Sequence, residues 1–333
     1  MCNKVIKQLR DFFFAAICSV GIAFSPGVNA SDTNWPTRSV KLILPLGVGS
    51  GTDTIARVFG ERLAARWGHP VVVENRPGGD GMIAINSFLN ADDDHTLLLT
   101  ATSAFTAHPY VHEKLPYDAN RLIPVARMTD SLVVLAVPAN LAVNSVDDLV
   151  KMARTQPGHL NAASITGLLD LVFSGFLKSN TLEVEKVPYR NPVDALNDLV
   201  VGRIQMMMTS IAIIRPQAEA GRVKMLALTN GKPASIAPNI PTAAESGFPE
   251  LTVDGLVGVF SVEKMPVAVR EKIAADIFDI GKDPEVIKRM TNAGQVFNPG
   301  SPDEFMKSIN LQKNQAAELG KMLGIKPAVA VTK

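Results

Sequence analysis

The segment with the clearest chemical meaning is Pro45-Leu-Gly-Val-Gly-Ser-Gly-Thr-Asp53. It follows a short apolar run, Val40–Leu44, and opens a stretch at 52–67 with apolar residues at Ile55, Val58, Phe59, Leu63 and Trp67. That spacing predicts a helix. Glycines let the backbone approach a ligand and expose its N–H groups. The start of a helix adds about half a positive charge. Strand, glycine loop and helix start together make a site for a carboxylate or phosphate. Thr52 and Asp53 also suit a helix start, so Asp53 serves as well for a cap as for a ligand contact.

A second chemistry uses the same residues. A strand, a glycine turn and a helix, with an acid about twenty residues on, is the dinucleotide fingerprint. Glu74 occupies that position, and Gly47, Gly49 and Gly51 would be the turn. The loop reads G-x-G-x-G-T rather than G-x-G-x-x-G, and no lysine follows to make a phosphate loop. A dinucleotide-binding oxidoreductase is therefore the alternative reading. Among the other reactive types, His108 and His112 stand four apart before Glu113, but Pro109 lies between them and the sequence shows no third metal ligand. They are read as a surface pair, and no metal site or cofactor is expected. No G-x-S-x-G elbow is present, which removes the commonest secreted serine hydrolase motif. Met206-Met207-Met208 reads as buried strand or pocket wall.

The N-terminus limits the compartment. Lys4, Lys7 and Arg10 precede an apolar run at 12–24, then Pro26, Gly27 and Val28-Asn29-Ala30. This order predicts a signal peptide, residues 1–30, cleaved after Ala30. The run is shorter than the ~20 residues a span needs, and Ile17 is too bulky to precede a lipidated Cys18. Both cysteines, Cys2 and Cys18, fall in this segment. The exported chain then has no disulfide, thiol nucleophile or thiolate metal site. The full chain carries 33 Lys and Arg against 32 Asp and Glu. Balanced charge with no basic run excludes a nucleic-acid partner.

The rest alternates strand-like and helix-like segments, which predicts helices covering mainly parallel sheets. Strands are expected at 71–74, 96–100, 132–137, Leu160–Ser164, 184–187, 204–208, Val223–Leu228 and 255–260. Helices are expected at 82–89, from Ser145, and at 168–178 and 192–201. After residue 260 the chain reads as helical, at 266–280, 284–293 and Pro302–Leu323. No linker separates two halves, so two domains would share crossing strands near 123–138 and 251–261.

Several stretches together are similar to one family. These are Trp35-Pro-Thr-Arg-Ser-Val-Lys-Leu-Ile-Leu-Pro45, Gly49-Ser-Gly-Thr-Asp53 with Ala56-Arg57, and Pro70-Val-Val-Val-Glu-Asn-Arg-Pro-Gly78. Lys114-Leu-Pro-Tyr-Asp118, Val187-Pro-Tyr189, Ala195-Leu-Asn-Asp-Leu199, Ile240-Pro-Thr242 and Glu245-Ser-Gly247 continue the series. In order and spacing the chain resembles the Bug (TctC-like) substrate receptors of tripartite tricarboxylate transporters. The resemblance implies an α/β type II periplasmic-binding-protein fold with a ligand cleft between two lobes. Residues 31–130 and 253–333 would form the first lobe and 131–252 an inserted second. It implies an extracytoplasmic, monomeric binding protein that closes on a small organic acid, docks on a membrane transporter or sensor, and catalyses nothing.

Carried over by position, the resemblance places first-lobe contacts at Val48, Gly49, Ser50, Gly51, Thr52 and Asp53, and at Thr102, Ser103 and Ala104. Second-lobe contacts fall at Ser164, Thr166, Gly167, Tyr189 and Arg190. The sequence departs from the family at Leu46-Gly47, at Ile165-Thr-Gly-Leu-Leu-Asp170, at Arg190-Asn191 and at Thr209. Leu168 and Leu169 suggest an apolar cleft wall, and hence a ligand with a carboxylate at one end and an apolar or aromatic body.

Overall fold

Three parallel strands begin the fold: β1 (Val40–Leu44), β2 (Val71–Asn75) and β3 (Thr96–Ala101). The computed structural model of the chain describes residues 34–165, 167–189 and 191–328. The expected signal peptide lies outside them, as do Thr166 and Arg190. Helix α1 (Gly51–Trp67) joins β1 to β2, and α2 (Met82–Ala91) joins β2 to β3. The apolar positions read from the sequence are the buried face of α1, with Ile55, Val58, Phe59, Leu63 and Trp67 all inside. Gly68, at φ 69°, ends this helix in the left-handed conformation that glycine adopts freely.

The chain continues through two short helical turns, α3 (Ser103–Thr106) and α4 (His108–Val111), into β4 (Ile123–Ser131). Only Leu132 separates β4 from β5 (Val133–Pro138). That is the first crossing between two sheets. Beyond it come α5 (Val146–Thr155), β6 (Leu160–Ser164), α6 (Leu168–Ser179), β7 (Val184–Pro188), α7 (Pro192–Val200), β8 (Met207–Ser210), α8 (Ile211–Glu219) and β9 (Val223–Leu228). The chain then returns through Val253 to β10 (Gly255–Ser261) and finishes with α9 (Val267–Ile280), α10 (Pro284–Asn292), β11 (Gln295–Gly300) and α11 (Pro302–Leu323).

The first sheet has six strands in the order β11-β4-β10-β3-β1-β2. The second is built from β8-β5-β9 and the pair β6-β7, joined by a parallel bridge between Ala162 and Met206. Parallel strand pairing lies on the β2-β1-β3 flank of the first sheet and the β7-β6 flank of the second, which also has a parallel bridge from Leu228 of β9 to Thr242. β10 is antiparallel to β3 and β4, and β11 to β4, while β5 is antiparallel to β8 and β9. The sheets are therefore mixed rather than mainly parallel. The reason is topological: a strand that leaves for the other sheet and one that returns must run in opposite directions. Strand β11 was not expected, and β8 lies about two residues later than the sequence suggested. Gln295-Val-Phe-Asn-Pro-Gly300 carries a proline and a glycine. A ladder tolerates these at a sheet edge, where this strand lies.

The last helix is shared. Its first half contributes Phe305 and Ile309 to the core of the first sheet. Its second half contributes Ala316 and Leu319 to the core around Phe173 and Phe176 of α6. Its start is a full capping box: Ser301 accepts from the Glu304 N–H, and Glu304 accepts from the Ser301 N–H at 2.8 Å. Ser301→Ala removes one of these bonds and is expected to lower stability by about 1 kcal/mol, read as the midpoint of urea unfolding.

Candidate functional site

Strand direction locates the site. In the first sheet, Leu44, Asn75 and Ala101 end their strands at the same edge. The antiparallel strands bring Ser131, Gly255 and Gln295 to that edge. In the second sheet Ser164, Pro188 and Ser210 end their strands together, beside Val133 and Leu228. The edges meet where Ser131-Leu132-Val133 passes from one sheet to the other. Ligands of α/β proteins bind outside the carboxyl ends of strands, where the loops and helix starts converge.

The glycine loop is built around Asp53. Its carboxylate is buried and accepts from the Gly49 N–H at 2.9 Å, from Arg57 Nε at 3.1 Å and from Asn75 Nδ2 at 2.9 Å. Burial alone raises the pKa of this acid. The Arg57, Gly49 and Asn75 hydrogen bonds and the Arg57 charge outweigh burial and hold it below the ordinary carboxylate value. Both oxygens are committed to shaping the loop, which makes Asp53 an organiser of the site. Ser50 Oγ caps the helix by accepting from the Asp53 N–H. The first N–H groups of α1, from Gly51 and Thr52, have no acceptor within a helix and are the donors such a site offers.

The three glycines differ in role. Gly49 holds φ 85°, a conformation other residues rarely adopt. Gly51 is needed because a Cβ there would lie 2.7 Å from the Ala293 carbonyl oxygen. Gly47 has open space around it. The close approach at Gly51 is thus to the chain just before β11. Glu74, the acid of the alternative reading, is occupied by Arg76 at 2.9 Å and Lys41 at 3.5 Å.

Thr102 is buried, and its hydroxyl donates to Gln312 Oε1 at 2.5 Å, while Gln312 Nε2 donates to the Asp254 carbonyl at 2.6 Å. This ties the turn after β3 to the returning strand and to α11. Ser103 is partly exposed beside it, and Ala104 is buried. Val48 in the loop is 76% exposed, and Leu46 is also exposed.

On the facing edge, Ser164 Oγ donates to Asp170 at 2.8 Å, and Asp170 pairs with Lys186 at 2.7 Å. Lys186 also donates to Ser174 at 2.6 Å. Gly167, at φ 104°, precedes α6 with no side-chain cap, so this helix start too has free first-turn donors. Tyr189 donates its backbone N–H to the Ser164 carbonyl and its hydroxyl to Asp198 Oδ2 at 2.7 Å. Burial and the Asp198 carboxylate push the phenol up to about 12, so it stays a proton donor at ordinary pH. Asp170, Lys186, Asp198 and Gln312 position the expected contacts but gave no signal in the sequence. Each finds its partner only through folding.

Two expectations are corrected here. Leu168 is buried in the core around α6 and does not form the cleft wall, while Leu169 packs against that core and stays partly exposed. Apolar residues exposed at the two edges include Leu46, Val48 and Ile83, in the first turn of α2, on one side and Val193, in the first turn of α7, on the other. His108 and His112 are not a surface pair. His108 is 1% exposed, and Asp80 lies against both rings. The methionine run is buried.

Two mixed sheets joined by crossing strands, with helix starts converging between their carboxyl edges, define the class of periplasmic binding proteins. Residues 55–325 match the family model of the tripartite tricarboxylate transporter family receptor, TctC, and the chain belongs to that family. It is 31% identical over 275 residues to a Pseudomonas sp. (strain P51) protein, "UPF0065 protein in tcbD-tcbE intergenic region", covering 81% of each chain. It is 29% identical over 239 residues to Protein BugT of Bordetella pertussis (strain Tohama I), covering 70% of this chain and 72% of that one. Among solved structures, "R. palustris Rpa4515 with adipate" superposes with a TM-score of 0.79 at 26% identity, covering 88% of this chain and 99% of the other.

Proposed function

We propose that the chain is an exported receptor that captures a small carboxylate in the periplasm and presents it to a membrane transporter or sensor, without chemical change. The observation that carries this reading is the pair of opposed strand edges, each offering helix-start N–H groups. They suit an anion held by dipoles and hydroxyls. The lobes would be residues 31–130 with 253–333, and 131–252, rotating about the crossings at Leu132 and Val253. Gly51 and Thr52 N–H would take a carboxylate from one side. Gly167, Ser164 and Tyr189, with Thr166 and Arg190, would take it from the other. Exposed Leu46, Val48 and Val193 suit a ligand with an apolar body. The likeness to a structure with bound adipate, an aliphatic dicarboxylate, supports the same class.

Localisation outside the inner membrane rests on family membership and on the signal-like N-terminus. Among the described residues no helix is long and apolar enough to cross a membrane. The absence of turnover rests on the family and on polar groups spent on positioning the loops.

A thermal-shift screen of the exported chain against aliphatic and aromatic carboxylates and NAD tests the reading. A carboxylate at a hundred times its dissociation constant stabilises by about 2.7 kcal/mol and is recovered unchanged. Stabilisation by NAD alone, or consumption of the compound, would overturn it.

A further inference from the structure

A second cluster lies beside the glycine loop. The turn from Gly78 to Gly81 holds four successive residues at positive φ: 111°, 56°, 53° and 86°. The third is Asp80, one of the few side chains that tolerate this region. A Cβ on Gly81 would sit 3.2 Å from Pro45 Cβ, so the turn is pressed against the start of the glycine loop. This fixed backbone carries the Asp80 carboxylate to the histidines of α4. Asp80 Oδ2 is 3.1 Å from His112 Nε2 and 3.6 Å from His108 Nε2. One donor atom from each of the three residues lies within 4.8 Å of the others.

His108 points to the role of the cluster. Its Nδ1 is bonded to the Tyr117 hydroxyl, while its Nε2 is buried, has no hydrogen bond among the described residues, and faces Asp80. A hydrogen bond from Nδ1–H to an oxygen leaves the Nε2 lone pair directed outward, the arrangement of a metal-bound imidazole. Four-coordinate ions with bonds of about 2.0–2.1 Å separate neighbouring ligand atoms by about 3.3 Å. The 3.1 and 3.6 Å edges bracket that value. The third edge is within 4.8 Å and would close by a turn of the His112 ring, whose side chain is 24% exposed.

We propose that Asp80, His108 and His112 bind one divalent transition-metal ion of the zinc class. Two imidazoles and one carboxylate suit zinc, cobalt, nickel or copper and are wrong for magnesium or calcium, which take oxygen ligands. With three protein ligands and partial exposure of Asp80 and His112, the fourth position is left to water. The ion staples the Gly78–Gly81 turn to the α3–α4 segment. Both flank expected contacts of the first lobe, at Pro45 to Asp53 and at Thr102 to Ala104. This site was not foreseen because its third ligand is 28 residues from the first histidine and is delivered by a left-handed turn.

The test uses the untagged chain, stripped with chelator and titrated by calorimetry with zinc and by absorption with cobalt. The expected result is one ion per chain and the visible absorption of four-coordinate cobalt. Asp80→Asn, which suits the same backbone, and His112→Gln, at a partly exposed position, each weaken binding by at least about tenfold, while circular dichroism is unchanged. No saturable binding at one ion per chain, or equal affinity in both variants, would overturn the assignment. Carboxylate binding by the metal-free chain is measured separately, so the two readings fail independently.

Discussion

In the Asp53→Ala variant, affinity for the captured carboxylate falls by about 10- to 100-fold and the chain loses about 3 kcal/mol of stability. The effect is large because the carboxylate is buried and fully engaged. Its removal leaves the Gly49 N–H without its acceptor, while Asn75 Nδ2 keeps only the Leu46 carbonyl and Arg57 only Asn75 Oδ1. Arg57 is about half exposed and recovers water, which limits the cost to the lower part of the range for a broken buried pair. The Gly49 N–H, held by a left-handed turn, loses the acceptor that fixes its direction. The donors at Gly51 and Thr52 then lose their fixed direction, and charge-assisted bonds depend on that direction. Asp53→Asn keeps one acceptor and is expected to fall between the parent and the alanine variant. Urea unfolding and calorimetry with the ligand found by the carboxylate screen read the two effects. Undiminished affinity in Asp53→Ala would show that Asp53 does not shape the site. The pKa direction adds a second check. A carboxylate held below its ordinary 3.8 contributes stability above that pH, and the contribution is lost as pH falls through the folded value.

The contrast between Asp53 and Asp80 shows what a sequence carries. The sequence places Asp53 in the loop as a helix cap or a ligand contact; that it organises the loop through Gly49 and Arg57, while Ser50 is the cap, is visible only in the fold. The cap at Ser145 and the strand–loop–helix order of the first sheet are legible from local spacing. Local spacing also found the helices after residue 260, since each begins at or next to a proline and keeps a helical period. It could not find β11, which is paired only along one edge and carries Pro299 and Gly300. Nor could it show that Leu168 belongs to the core, because a leucine in a helix's first turn suits a cleft wall as well as an interior. Long-range pairs are the hardest. Thr102 with Gln312, 210 residues apart, leaves no trace in either neighbourhood. The histidine pair was visible, but its carboxylate was not, because a glycine-rich turn conceals where its one acidic side chain points.

Asp130→Asn is expected to stabilise the chain by about 2–3 kcal/mol at pH 7.5 and to remove a pH dependence between about pH 4 and 6. Asp130 stands two residues before the crossing at Leu132, paired in register with Leu256 of the returning strand and Val296 of β11. Burial pushes its carboxyl up to about 6; a hydrogen bond from Asn298 opposes the shift and nearby Asp254 adds to it. Arg127 and Lys232 are the nearby cations, but the Arg127 guanidinium is spent on the Asn298 and Pro299 carbonyls, Asn298 Oδ1 and Ser308. One oxygen of Asp130 has no hydrogen-bond partner among the described residues. Because the folded pKa lies above the ordinary 3.8, the folded chain holds one more proton than the unfolded chain between those values. Stability therefore falls as pH rises through this window, opposite in sign to the contribution of Asp53. The asparagine keeps an acceptor for Asn298 and carries no charge, so it is free of the penalty at every pH. Urea unfolding of both proteins at pH 4.5, 6 and 7.5 decides the matter. A parent chain whose stability is flat or rising with pH across the window, or a variant no more stable at pH 7.5, would mean that Asp130 is ionised at little cost.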